Sequence, residues 1–417
     1  MDKAIIIAVN NDNPLFNEEI RELISLANTC DIEIVDTVFQ NLHRFNPVTY
    51  VGKGKVEEIE IALNHHEVDL IICNDELSPL QISTLEARLD CVIYDRTFII
   101  LEIFKERART KEAILQVELA FNQYELPRLM GSRTELSRQR GTGGTFARGR
   151  GAGEMKLELE RRDIRDRVAA IKRELKELTK LRRQQRTRRQ KNQMKIVSLV
   201  GYTNSGKSST LNSLLNYSTQ AAKTVFEKDM LFATLETATR RIQTESNLTF
   251  LLTDTVGFIH KLPHQLVEAF KSTLEEIKES DLIIHVVDSS NPNYENQIKT
   301  TNKVLKDIGV NDIPMLYAFN KIDLIPDYFY IPADYSNAIR ISATEDKNLN
   351  KLLNLIEVEL FKDYHLLNLE IPYQNAQLIN KIKESAIISS YEETKEGYKI
   401  EAKVPDFLIN NLKPFIK

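Results

Sequence analysis

The sequence predicts a multi-domain α/β chain, and three observations predict it. Short β-rich runs alternate with helically spaced segments near the N-terminus and again from Met194 to Lys362. A long basic segment without Gly or Pro separates these two stretches. A glycine-rich loop then sits between a β-branched run and a helix, as phosphate-binding loops do in α/β folds. The 417 residues are 42% hydrophobic and 28% charged, which excludes a wholly disordered or fibrous chain and leaves room for two to four domains.

The first stretch reads as βαβ units. Strand-like Lys3–Val9 precedes a helix over Asn17–Asn28, and Ile32–Phe39 is strand-like again. A helix over Val56–His65, a buried strand at Leu70–Cys73, a helix over Pro79–Leu89 and a strand at Cys91–Tyr94 complete an N-terminal α/β domain, residues 1–105. Residues 106–193 form the next domain. A helix over Thr110–Tyr124 is expected to end at Pro127, and the loop Arg138–Gly153 is too glycine-rich for regular structure. Glu154–Lys191 follows as one helix. Its apolar positions at Ile164, Val168, Ile171, Leu175 and Leu178 alternate spacings of four and three, the seam of a coiled-coil-like helical hairpin.

The net charge of −4 hides a strong asymmetry. Residues 128–191 hold 21 Lys and Arg against 8 Asp and Glu, and 7 of the 14 glycines fall there too. This segment therefore carries +13 and the rest of the chain −17. The lopsided run Arg182, Arg183, Arg186, Arg188 and Arg189, with Arg138, Arg140, Arg148 and Arg150 around the glycines, points to polyanion contact. Guanidinium groups make bidentate phosphate contacts, so RNA backbone is the expected partner. The three cysteines are widely spaced, which fits a reducing cytosol and excludes a CxxC pair. The short apolar runs exclude a membrane span, and the expected localisation is cytoplasmic, as a monomer.

Gly201-Tyr-Thr-Asn204-Ser205-Gly206-Lys207-Ser208 follows strand Lys195–Val200 and opens a helix through Ser209–Leu215. It fits G-x-x-x-x-G-K-[ST], in which backbone N–H groups cradle phosphates, Lys207 reaches the β/γ oxygens and Ser208 meets Mg²⁺. Asp254-Thr-Val-Gly257 closes strand Leu248–Thr253, placing Asp254 on Mg²⁺ through water and the Gly257 N–H on a γ-phosphate. Asn320-Lys321-Ile-Asp323 follows strand Pro314–Phe319. Its Asp323 accepts from guanine N1–H and the exocyclic amine, which adenine cannot reproduce. Ser342-Ala343, after Ile339–Ile341, matches the loop whose backbone N–H reads guanine O6. These four motifs, in order and each after a strand, predict a Ras-like P-loop GTPase domain over residues 194–362 with GTP/GDP and Mg²⁺ as cofactors. Lys207, Thr234 and Gly257 are the expected catalytic residues; Thr234 also joins Ser208 and Asp254 as a metal ligand, with Thr237 and Thr239 competing for that role. Phe258 stands where a water-orienting glutamine is common, so slow intrinsic hydrolysis, accelerated by a partner, is expected. Residues 363–417 read as a small α+β C-terminal domain: strand-like Leu367–Ile371, a helix from Gln374 to Ser389, strand-like Gly397–Val404 and a short final helix.

Over nearly its whole length the chain resembles the HflX family of translational GTPases. The resemblance rests on Tyr50-Val-Gly-Lys-Gly-Lys55, Asp75-Glu-Leu-Ser-Pro79, Tyr94-Asp-Arg-Thr97, Arg107-Ala-Arg-Thr110 and Leu115-Gln-Val-Glu-Leu-Ala120, besides the glycine-rich loop and the nucleotide motifs. It implies a cytoplasmic GTPase that binds the large ribosomal subunit and, in some members, splits stalled or idle ribosomes under stress. It also implies that the basic hairpin approaches ribosomal RNA near the peptidyl-transferase region. Two segments depart from the family pattern: Gly151-Ala-Gly-Glu-Met-Lys-Leu-Glu158 replaces G-P-G-E-T-Q-L-E, and Glu236-Thr-Ala-Thr-Arg240 replaces D-P-T-T-R. No phosphate-loop pattern occurs in the N-terminal domain, where Gly52-Lys-Gly54-Lys55 is too short. Two other readings are compatible with the same residues: a ribosome-assembly or RNA-modification GTPase, and a GTP-dependent RNA-binding switch with little hydrolysis.

Overall fold

The structure, a computed structural model, describes residues 2–138, 150–191, 194–218 and 238–417, apart from 245, 247, 262, 264–265, 267–273 and 327–328. It divides into two compact units: the first takes in Met1–Thr179 and His260–Lys271, the second Lys180–Asp229, Ala233–Ile259 and Ser272–Lys417.

The first unit begins with β1 (Asp2–Asn10), α1 (Phe16–Thr29), β2 (Ile32–Asn41), α2 (Lys53–His66), β3 (Leu70–Cys73), α3 (Pro79–Leu89), β4 (Val92–Asp95) and α4 (Arg96–Arg107). The strands form a parallel sheet ordered β2-β1-β3-β4. Ala4 to Ala8 of β1 are fully buried, which is why β1 is a continuous apolar run rather than an alternating one. Ser78 and Gln81 form a capping box on α3, and Asp95 caps α4 by accepting from the Phe98 N–H. Strand order reverses between β1 and β3, so a crevice opens beyond their carboxyl ends.

The helical hairpin follows, α5 (Lys111–Arg138) and α6 (Arg150–Lys191). Leu115 and Leu119 pack on Ile171, flanked by Val168, Leu175 and Leu178. Ion pairs Lys111–Glu174 and Arg167–Glu118, at 3.1 and 2.6 Å, fix an antiparallel register along the seam. Two expectations need correction here. Pro127 lies inside α5 instead of ending the helix. Contacts on both sides hold the helix across it: Tyr124 and Arg128 bind Asp95 at 2.8 and 2.7 Å, and Arg161 of α6 donates to the Leu129 carbonyl. Regular structure also resumes at Arg150, earlier than Glu154, with Gly151 and Gly153 inside α6. Each glycine costs about 1 kcal/mol in a helix, which the Gly- and Pro-free run behind them outweighs.

The second unit contains β5 (Lys195–Val200), α7 (Lys207–Asn216), β6 (Ala238–Gln243), β7 (Thr249–Asp254), β8 (Leu282–Asp288), α8 (Tyr294–Asp307), β9 (Met315–Asn320), β10 (Ala338–Arg340) and α9 (Leu349–Leu360). Its six-stranded sheet is ordered β10-β9-β8-β5-β7-β6, parallel except for β6. Leu199, Leu211, Leu252, Ile284, Ala318 and Ile356 lie in the core between sheet and helices. The chain ends in β11 (Tyr364–Pro372), α10 (Gln377–Ser385), β12 (Ile387–Glu393), β13 (Gly397–Pro405) and α11 (Asp406–Leu412), an antiparallel sheet β11-β13-β12 over a core of Leu369, Ile371, Ile382, Ile400 and Val404. The helix expected over Gln374–Ser389 is therefore shorter, and its last residues belong to β12.

Candidate functional site

Four loops at the carboxyl ends of β5, β7, β9 and β10 carry the nucleotide motifs. Two glycines shape the first. Gly201 has φ +153°, and a Cβ there would meet the Val286 carbonyl at 2.3 Å. Gly206 has φ +90°, and its Cβ would meet Asn320 Nδ2 at 2.1 Å. Only glycine fits either place. Asn204 turns the loop with φ 58°, and Ser209 sits half-buried in the first turn of α7.

Lys207 is 6% exposed, and its ammonium donates to the carbonyls of Tyr202 and Gly201 at 2.8 and 3.3 Å. Burial pushes it down to about 8, and Asp254 works against that shift. Ser208 donates to Asp254 Oδ2 at 2.6 Å, so a hydroxyl and a carboxylate meet at the head of α7. Thr203 Oγ1 and Ser205 Oγ are buried without a partner among the described residues. Buried hydroxyls are ordinarily satisfied, so a glycine cradle, a buried lysine and these two hydroxyls fit a loop shaped for phosphate. The Ser208–Asp254 oxygen pair fits Mg²⁺, which takes few protein ligands and keeps water and substrate phosphate for the rest. No group of three His, Cys, Asp or Glu elsewhere among the described residues could hold a metal.

Asp254 ends β7 fully buried, and Thr255 donates to the Leu199 carbonyl at 2.7 Å. The following residues are stitched to the phosphate loop: the Phe258 N–H donates to the Gly201 carbonyl at 3.1 Å, and its carbonyl accepts from the Thr203 N–H at 2.8 Å. The Phe258 ring is 1% exposed and packs with Val200, Leu274, Ile277 and Ile283. Its side chain is thus core, and its backbone carries the contact with the loop. Gly257 lies so close to Thr203 that a Cβ would approach the Thr203 Cα at 2.8 Å.

Asn320 joins the base-side loops to the phosphate loop. Its Nδ2 donates to the Ser205 carbonyl and its Oδ1 accepts from the Ala343 N–H, both at 3.0 Å. Ser342 Oγ donates to Asp323 Oδ1 at 2.5 Å, and Lys321, with φ 64°, pairs with Asp288 at 2.7 Å. The structure thus brings together Gly201, Ser205, Gly206, Lys207, Ser208, Asp254, Gly257, Asn320, Asp323, Ser342 and Ala343, from segments more than a hundred residues apart.

The remaining expected residues lie elsewhere in the fold or outside the described residues. Thr234 and Thr237 lie outside the described residues. Thr239 is in β6, with its hydroxyl 3.1 Å from that of Thr253. Arg138 closes α5, Arg150 opens α6, and Arg182, Arg183, Arg186, Arg188 and Arg189 lie on α6; Arg140 and Arg148 fall outside the described residues. One contact was not signalled by any motif. Lys261, four residues beyond Gly257, pairs with Glu19 and Asp75, which are 242 and 186 residues away in sequence.

Comparison with known proteins gives three consecutive family matches between residues 17 and 321. Residues 17–105 match a family described as GTP-binding GTPase N-terminal, residues 107–189 the GTP-binding GTPase Middle Region, and residues 196–321 a family described as 50S ribosome-binding GTPase. The GTPase HflX of Caldanaerobacter subterraneus subsp. tengcongensis is 43% identical over 415 residues, covering 100% of this chain and 94% of that protein. That of Lacrimispora saccharolytica is 42% identical, covering 99% and 95%. Among solved structures, a GTP-binding protein from Sulfolobus solfataricus in complex with GDP is 25% identical, with TM-score 0.44, covering 87% of this chain and 99% of that one. With identity of this order along the whole of its length, the chain belongs to the HflX family of GTPases, which bind GTP and GDP with Mg²⁺ and hydrolyse GTP.

Proposed function

We propose that this GTPase acts in the cytoplasm on the large ribosomal subunit and dissociates or rescues stalled or idle ribosomes under stress. The observation that carries this reading is the match of residues 196–321 to a 50S ribosome-binding GTPase family, in a chain whose preceding segment is strongly basic. α6 has 42 residues, or about 63 Å of helix at 1.5 Å per residue, and bears five arginines between Arg182 and Arg189. A basic rod of that length suits contact with structured RNA, read through its phosphates and not its bases.

In the reaction, Lys207 leaves the carbonyls of Tyr202 and Gly201 for the β/γ oxygens, and the loop N–H groups with Thr203 and Ser205 surround the phosphates. Ser208, Thr234 and, through water, Asp254 would hold Mg²⁺, which would supply neutralisation of phosphate charge. The Gly257 N–H meets the γ-phosphate. Asp323 selects guanine, with Asn320 bracing its loop and the Ser342-Ala343 backbone beside O6. Because Phe258 is committed to the core, no side chain at that position orients water, so the ribosome completes the catalytic site or orders the switch segments.

The test is ribosome dissociation followed by light scattering, with GTP, a non-hydrolysable analogue or GDP. Dissociation with GTP and with the analogue, and none with GDP, is expected. Equal scattering in all three arms rejects the reading, as does GTP turnover that ribosomes leave unchanged.

A further inference from the structure

Contacts between the nucleotide motifs hold the base-side loops: Asn320 reaches Ser205 and Ala343, and Ser342 reaches Asp323. A further contact leaves the motifs. Lys321 Nζ lies 2.7 Å from Oδ2 of Asp288, the last residue of β8, with side chains 22% and 15% exposed. Asp288 stands directly opposite Asn320 in the β8–β9 register, and the next residue, Ser289, donates its N–H to the Asn320 carbonyl at 3.0 Å. The other oxygen of Asp288 accepts from the Ser290 N–H and hydroxyl at 3.0 and 2.6 Å. The carboxylate is therefore fixed from its own side, independently of the lysine.

Lys321 needs such a hold. Its φ of 64° is left-handed, an uncommon backbone for a residue with a Cβ. That conformation takes the chain out of β9 into the short turn Ile322–Leu324, closed by the Leu324 N–H on the Lys321 carbonyl at 3.0 Å, and this turn carries Asp323. The pair with Asp288 thus ties down the residue at which the chain changes direction ahead of the base-reading carboxylate. Because both side chains are largely out of water, the pair is screened less than a surface ion pair. Burial pushes Lys207 down and the Lys321 ammonium adds to it, against Asp254, so Lys321 stands within electrostatic reach of the phosphate loop.

We propose that Asp288 is a positioning residue for guanine: by holding Lys321 it fixes the turn that presents the Asp323 carboxylate to N1–H and the exocyclic amine. It acts through Lys321 and not on the nucleotide itself. A turn fixed in advance gives up less freedom when the base arrives, so the ion pair raises affinity and sharpens the choice of base without adding a contact. The effect falls on GDP and GTP alike, because they share the base. A carboxylate that only neutralised Lys321 would act in the opposite sense: it would keep a cation from the phosphates, and its removal would tighten binding. The inference rests on the role of Asp323 given under Proposed function.

The test uses the full-length protein and measures Kd for GDP, for a non-hydrolysable GTP analogue and for IDP, whose hypoxanthine lacks the exocyclic amine. Asp288→Asn keeps the side chain's shape and an acceptor for Ser290, and removes the charge that holds Lys321. It is expected to weaken GDP and the analogue alike, about tenfold, and to narrow the ratio of GDP to IDP affinity about threefold. In a Lys321→Met background Asp288→Asn costs nothing further, which separates positioning through the lysine from a general loosening of β8. Unchanged or tighter binding, a loss confined to the analogue, a constant GDP to IDP ratio, or the same tenfold loss in the Lys321→Met background overturns the proposal. Asp323→Asn separates the two readings. If it narrows the ratio while Asp288→Asn does not, the positioning role fails and base reading by Asp323 stands; if it leaves the ratio unchanged, base reading itself fails.

Discussion

At the carboxyl end of the second unit's sheet, a lysine is buried against backbone carbonyls and two buried hydroxyls have no partner among the described residues. At the carboxyl end of the first unit's sheet, charge meets charge. Lys261 lies between Glu19 and Asp75, Arg96 pairs with Glu22, and Asp95 accepts from Arg128, Tyr124 and two backbone N–H groups. Both are crevices of parallel α/β sheets, yet their polar groups are satisfied from different sources. The nucleotide loops keep polar groups suited to an anion. The N-terminal crevice spends its charges on internal pairs, which fix helices and the hairpin.

Three substitutions test that contrast, taken from the largest expected effect. Lys207→Ala lowers kcat/KM for GTP about a thousandfold, roughly 4 kcal/mol of transition-state stabilisation, and leaves the ligand-free protein no less stable, because the lysine removed is buried and desolvated. Turnover within tenfold of the parent in a phosphate-release assay would place the charge elsewhere. Asp95→Ala does the opposite. It strips the fully buried carboxylate from Arg128, Tyr124 and the α4 cap, at a cost of about 3 kcal/mol. The urea midpoint falls accordingly while GDP affinity stays the same; an unchanged midpoint contradicts the reading of this crevice as internally satisfied. Asp323→Asn costs about 2 kcal/mol in GDP binding by removing an acceptor from the guanine edge. Its diagnostic is the ratio of GDP to IDP affinity, since hypoxanthine lacks the exocyclic amine. That ratio narrows in the variant, and a constant ratio removes Asp323 from base reading.

The two crevices also differ in how far the sequence discloses them. The phosphate loop is legible because its chemistry is local: glycines at two positions of unusual backbone and a lysine one residue on occupy a fixed spacing after a strand. The strands and helices of the first sheet were legible from periodicity, and Leu70–Cys73 and Pro79–Leu89 have the bounds the pattern gives. α4 was not. Ile99, Ile100, Leu101, Ile103 and Phe104 are all buried, which erases the one-sided stripe that marks a helix. β6 was missed for the opposite reason, being an edge strand of Ala-Thr-Arg-Arg-Ile-Gln with one fully buried residue. Pro127 misled because a local helix breaker was overruled by contacts with Asp95 and Arg161 that no window of sequence contains. The ion pairs of Lys261 with Glu19 and Asp75 are of the same kind, since neither the lysine nor its carboxylates stand in any spacing that joins them.

The smallest effect is the one that bears most directly on the desolvated lysine of the nucleotide loop. Burial holds Lys207 at about 8 instead of 10.5. Between those values the unfolded chain keeps a proton that the folded chain has lost, so this group's contribution to stability increases as pH rises from 8 toward 10.5 and is absent below 8. Nucleotide phosphates reverse the imbalance by favouring the ammonium. Binding of GDP above pH 8 therefore takes up a proton, and affinity declines as pH climbs through that range. Calorimetry in buffers of different ionisation enthalpy gives the number directly: approaching one proton at pH 9 and about a tenth of one at pH 7. Equal uptake at both pH values would mean that Lys207 is fully charged before nucleotide arrives, and that the loop does not hold its cation in a desolvated state.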